Sequence, residues 1–135
     1  MLTKLLVVAF FLGAQLIISW YGFFLGKIPL SGTFFGLPYS SPAVGMFITQ
    51  IKYLWVPIAI NMLYGLGFHW GNASFGNFLI IIALWIAAAP IAAVIFNVAV
   101  VGEKINILVI LGLLLVTAGS VLVMAHKEIG ALFSA

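Results

Sequence analysis

Apolar residues fall into four long runs, 5–26, 44–68, 78–101 and 105–125, separated and flanked by short segments that carry most of the prolines, lysines and polar residues. At about 1.5 Å of rise per residue, each run is long enough as a helix to cross a hydrocarbon core of about 30 Å. The pattern predicts an all-α membrane protein: one domain, 1–135, of four transmembrane helices at about 5–26, 44–68, 78–101 and 105–125, with both ends of the chain on one side.

The first run lies between Lys4 and Lys27. It exceeds the apolar core of about 7–15 residues that a cleaved signal peptide carries, so a retained span is expected. Gln15, Ser19, Gly22 and Gly26 recur at helical steps and share one face, too polar for lipid and suited to a helix partner or a cavity. Residues 27–43 hold three prolines and read as a loop, with Phe34, Phe35 and Tyr39 placed for the bilayer interface.

Lys52 interrupts the second run, and a continuous helix puts it near the headgroups, either snorkelling or holding an anion. In that helix Gln50, Tyr53, Pro57, Asn61 and Tyr64 form a polar and aromatic stripe directed at protein. Residues 69–74, with His69, Trp70 and Asn72, read as a polar turn. In the third run Ala83, Ala87, Pro90 and Asn97 share a face, and Pro90 leaves the Ile86 carbonyl without its helical donor, which predicts a kink. Gly102-Glu103-Lys104 turns the chain into the last run, where Gly112 and Gly119, seven apart, line one face and predict the contact of a dimer.

Composition narrows the function classes. With 66% hydrophobic and 5% charged residues, the chain has too little polar surface for a water-soluble globule. The five lysines, with no arginine, make no nucleic-acid patch, and most stand at helix ends where they meet lipid headgroups. Lys4 and Lys127 on one side against Lys27, Lys52 and Lys104 on the other do not fix an orientation. Cysteine is absent, and His69 and His126 alone make a poor ligand set, so neither a metal nor a cofactor is expected. No acid–base pair, activated nucleophile or phosphate loop points to an enzyme; the glycines Gly65 and Gly67 end a helix instead of opening one after a strand.

Trp85 precedes Gly102 by 17 residues, the Gly-Glu-Lys-Ile turn follows, and Gly112 and Gly119 come ten and then seven residues later. This pattern, W…GEKI…LGLLLVTAG, resembles the last two helices of the drug/metabolite transporter superfamily, in particular its four-helix members. These are the small multidrug resistance transporters and the small flippase subunits for aminoarabinose-linked lipid carriers. The resemblance covers about a third of the chain. It implies a paired four-helix transporter of the bacterial inner membrane, with Gly112 and Gly119 at the dimer contact and Trp85 lining the substrate cavity. The chain departs from the small multidrug transporters in three places: Gln15 stands nearest to their first-helix glutamate, Ile82 replaces their tyrosine three residues before the tryptophan, and the loop 27–43 is longer.

Two functions remain open from the sequence. One is a transporter or flippase subunit, a homodimer or a heterodimer with a similar four-helix protein, in contact with membrane lipids. Its cavity would be lined by Gln15, Asn61, Tyr64, Trp85 and Asn97; without a carboxylate there, a neutral or lipid-linked substrate fits better than a cation. The other is a structural subunit of a larger membrane complex, in which the same faces only pack helices, and each of these side chains has that alternative role.

Overall fold

A computed structural model describes residues 1–124 and 126; Ala125, Lys127 and Glu128 of the predicted last helix and tail lie outside the described residues. The chain is mostly helical, in the order α1 (Leu2–Leu25), β1 (Gly32–Phe34), β2 (Leu37–Tyr39), α2 (Pro42–Lys52), α3 (Trp55–Phe75), α4 (Phe78–Phe96), a π-helical turn (Asn97–Val101) and α5 (Ile107–Met124). Among the described residues two helices are long and apolar enough to cross a membrane, α1 and α4 with its π turn, and a third span results if α2 and α3 count as one broken helix.

The predicted helix 44–68 is the main correction. It is two helices bent by 63° at Tyr53. Pro57 supplies the cause: it has no N–H to return to the Tyr53 carbonyl, and its ring crowds that carbonyl. The carbonyl instead accepts from the Val56 N–H at 2.9 Å, a tighter turn that ends one helix and begins the next. Pro57 then sits in the first turn of α3, where a missing donor costs nothing. Pro90 has a different fate, because α4 runs through it without ending.

Two loops also differ from expectation. Part of 27–43 is an antiparallel hairpin, paired Gly32 to Tyr39, Thr33 to Pro38 and Phe34 to Leu37. Its two turn residues, Phe35 and Gly36, have φ of 48° and 81°, the left-handed pair that matches strand twist. Pro38 occupies the position one step from the turn-closing pair, where no ladder donor is needed. The expected turn at 69–74 is helical, since nothing there breaks a helix; α3 continues to Phe75 and stops at Gly76, whose φ is 62°. Asn77 then caps α4, accepting from the Leu79 N–H at 3.0 Å.

α1 packs along both α3 and α4, and α5 lies chiefly against α4. Lys4 stands over the Phe75 ring at one end of the molecule, while Phe23 meets Phe96 and Phe24 meets Tyr53 at the other. So α1 runs parallel to α4 and antiparallel to α3. The core is formed by Val7 and Phe11 of α1 with Ile81 and Ala88 of α4, and Gly67 of α3 receives the Phe11 ring. By contrast Leu108 and Leu115 of α5 are 73% and 74% exposed.

Candidate functional site

The aromatic rings at the middle of the bundle converge because helix periodicity sets them on facing stripes. On α3, Tyr64 and Phe68 are one turn apart, and Phe11 of α1 packs edge-on against Phe68, ring centroids 5.2 Å apart. Trp85 of α4 closes the group, 6.1 Å from Tyr64 in a T-shaped pair and 6.2 Å from Phe68. Its indole Nε1 is buried and has no hydrogen-bond partner among the described residues. An N–H in such surroundings without an acceptor costs about 1–3 kcal/mol, so this group is prepared to donate to an acceptor that enters.

Gln15 and Ser19 follow Phe11 up α1 at intervals of one turn. Ser19 spends its hydroxyl on the Gln15 carbonyl, 2.9 Å away, leaving the Gln15 amide as the polar group of that half-buried face. Ser19 and Gly22 then face Asn97 across a cleft of about 330 Å³ between α1 and α4. Asn97 also borders a smaller cavity with Glu103 and Lys104, and its carbonyl accepts from the Glu103 N–H at 3.1 Å. Trp85 and Asn97 are therefore at different depths, about 18 Å apart along α4.

The structure thus joins Tyr64 with Trp85, and Asn97 with the Ser19–Gly22 face, in two neighbouring places with Gln15 between them on α1. Asn61 is exposed. After the break at Tyr53, the buried face of α3 runs through Val56, Gly67 and Gly71, and Asn61 lies about 100° from its centre. The rest of the stripe holds: Gln50 accepts from the Tyr21 hydroxyl at 3.1 Å, and Tyr53 packs on Phe24. Gly112 and Gly119 are exposed, and a methyl group at either would meet nothing. Gly119 borders a groove of about 340 Å³ between α4 and α5 with Ala83, Ile86 and Ser120.

Sequence reasoning passed over Phe11 and Phe68, the walls of the aromatic group. Their signal is spacing, since Phe11 stands four residues before Gln15 and Phe68 four after Tyr64. No family model, curated protein or solved structure matches the chain.

Proposed function

We propose that the chain is a small membrane transporter or lipid-flippase subunit of the drug/metabolite transporter type, which carries a neutral or lipid-linked substrate through a cavity shared by two four-helix protomers, α5 serving as the fourth span. The observation that carries this reading is the buried, unpartnered Nε1–H of Trp85 beside the Tyr64 ring. A residue selected only for packing gains nothing from an orphaned donor, and phenylalanine would fill the same apolar setting without it. Asn61, exposed in the single chain, faces a cavity only when a second protomer closes over it. The bare face of α5 offers that protomer a contact surface in the bacterial inner membrane.

A structural subunit of a larger complex is the second reading, favoured by that same apolar face of α5. Native mass spectrometry in mild detergent separates the two. Trp85→Phe removes the N–H and keeps the ring, and is expected to weaken retention of a bound lipid or substrate about five- to tenfold while leaving assembly intact. Gln15→Ala is expected to act in the same direction. If both variants retain ligand and instead lose assembly, the transport reading fails and the structural one replaces it.

A further inference from the structure

The 63° break between α2 and α3 opens a cleft that belongs to none of the groups above. It measures about 420 Å³ and lies between the end of α1, the hairpin and the α2–α3 corner. Ser31, Thr33, Tyr39, Thr49, Lys52 and Tyr53 give it five hydroxyls and one ammonium. No carboxylate lines it among the described residues, where Glu103 borders a different cavity.

Its walls are held in place before any ligand arrives. Gly45 of α2 sits so close to the Leu30 backbone that a β-carbon there would collide with the Leu30 carbonyl, which pins the incoming loop to the helix. The Thr49 hydroxyl donates to the Gly45 carbonyl at 2.9 Å and so is already engaged. Gly32 lets the Tyr39 ring lie across β1, with the phenol oxygen 3.2 Å from where a side chain at Gly32 would begin. Lys52 reaches under the hairpin, its Nζ 5.8 Å from the Phe34 ring centre.

A lysine at the end of α2 is explained by the helix carbonyls alone. Those carbonyls do not explain a preformed cleft that hydroxyl donors from the loop, the hairpin and the corner line together with this lysine. Donors of this kind, with no acid among the described lining residues, match the several acceptor oxygens and negative charge of a phosphate group. The cleft volume is also within the range of small-molecule sites.

We propose that this cleft binds a phosphate group through Lys52 and the hydroxyls of Ser31, Thr33, Tyr39 and Tyr53. The phosphate is carried either by a membrane lipid or by a soluble phosphate ester. The site is independent of the transport reading, because it shares no residue with the Trp85 group.

The test uses the full chain in detergent, with native mass spectrometry comparing phosphatidic acid against diacylglycerol of the same acyl chains. The expected result is retention of phosphatidic acid in preference to diacylglycerol. Lys52→Gln should reduce that preference about tenfold or more, whereas Lys52→Arg and Lys4→Gln, the latter at the opposite end of α1, should keep it. Tyr39→Phe and Thr33→Val each remove one hydroxyl at little change of shape and should weaken binding severalfold, so the proposal stays testable if Lys52→Gln folds poorly. Competition by glycerol 3-phosphate assigns the site to a soluble ester, and its failure to compete assigns it to a lipid. No preference for phosphatidic acid together with no binding of glycerol 3-phosphate overturns the proposal, as does equal loss in Lys52→Gln and Lys4→Gln.

Discussion

Gly67 and Gly71 on α3, and Gly112 and Gly119 on α5, are pairs of small residues on apolar helices, yet their surroundings are opposite. A β-carbon at Gly67 would come within 2.7 Å of the Phe11 ring and one at Gly71 within 3.2 Å of Ile81, whereas one at Gly112 or Gly119 would touch nothing. The first pair is a hole already filled by knobs from α1 and α4. The second is a hole without a knob among the described residues. Glycine spacing marks where backbones can approach, and only the facing side chains decide whether the approach is within one chain or between two.

The largest expected effect comes from filling the occupied hole. Gly67→Leu should destabilise the folded chain by about 3 kcal/mol or more, because the Phe11 ring is hemmed in by Tyr64 and Phe68 and has nowhere to move. Unfolding in mixed micelles followed by tryptophan fluorescence measures the loss, and a second change, Phe11→Leu, should recover part of it. An undiminished midpoint in Gly67→Leu would show that α3 and α1 are not in contact there.

Filling the vacant hole should do something different in kind. Gly112→Leu combined with Gly119→Leu is expected not to destabilise the folded chain, and to stabilise it by up to about 1 kcal/mol per site through helix propensity. The same pair should convert a crosslinkable dimer to monomer. A dimer that survives it would remove this face of α5 from the interface.

The smallest effects refine the contrast inside α3. Gly71→Ala asks Ile81 to give by a few tenths of an ångström and should cost about 1 kcal/mol. Gly65→Ala, on the same helix but facing open space, should cost nothing or stabilise by up to about 1 kcal/mol through helix propensity. The difference between the two alanines, read from the same unfolding curves, reports packing with backbone propensity cancelled.

Much of the fold was legible because it depends on apolar run length. The starts of α4 and α5 and the end of α1 fall within a few residues of the predicted bounds. What escaped depends on single backbone atoms. By periodicity Pro57 is one member of a stripe, whereas its missing N–H is what divides the helix at Tyr53. The polar residues His69 to Ser74 read as a turn, but polarity does not end a helix and Gly76 does. The hairpin was hidden because its turn places a phenylalanine, Phe35, at positive φ, where sequence patterns expect asparagine or aspartate.

The candidate site was legible in part for the same reason. Tyr64 and Trp85 meet because both lie on helices whose periodicity is simple. Asn61 departs although it shares α3 with Tyr64, because it lies farther round the helix from the buried face of Val56, Gly67 and Gly71, and the stripe is wide enough to include both. The Gly67 and Gly71 contact was present in the letters as glycines four apart, a closer spacing than that of Gly112 and Gly119. Its importance became visible only with Phe11 and Ile81 facing it.

The corner between α2 and α3 also gives the molecule unequal ends. With α3 upright, the 11 residues of α2 extend about 16 Å at 63° to it, rising only about 7 Å and reaching about 15 Å sideways. The hairpin widens that end further, while the opposite end of α3 is closed by the two residues Gly76 and Asn77. Among the described residues, the unit of hairpin, α2 and α3 is therefore a wedge, broad where the chain enters it and no wider than one helix where the chain leaves it.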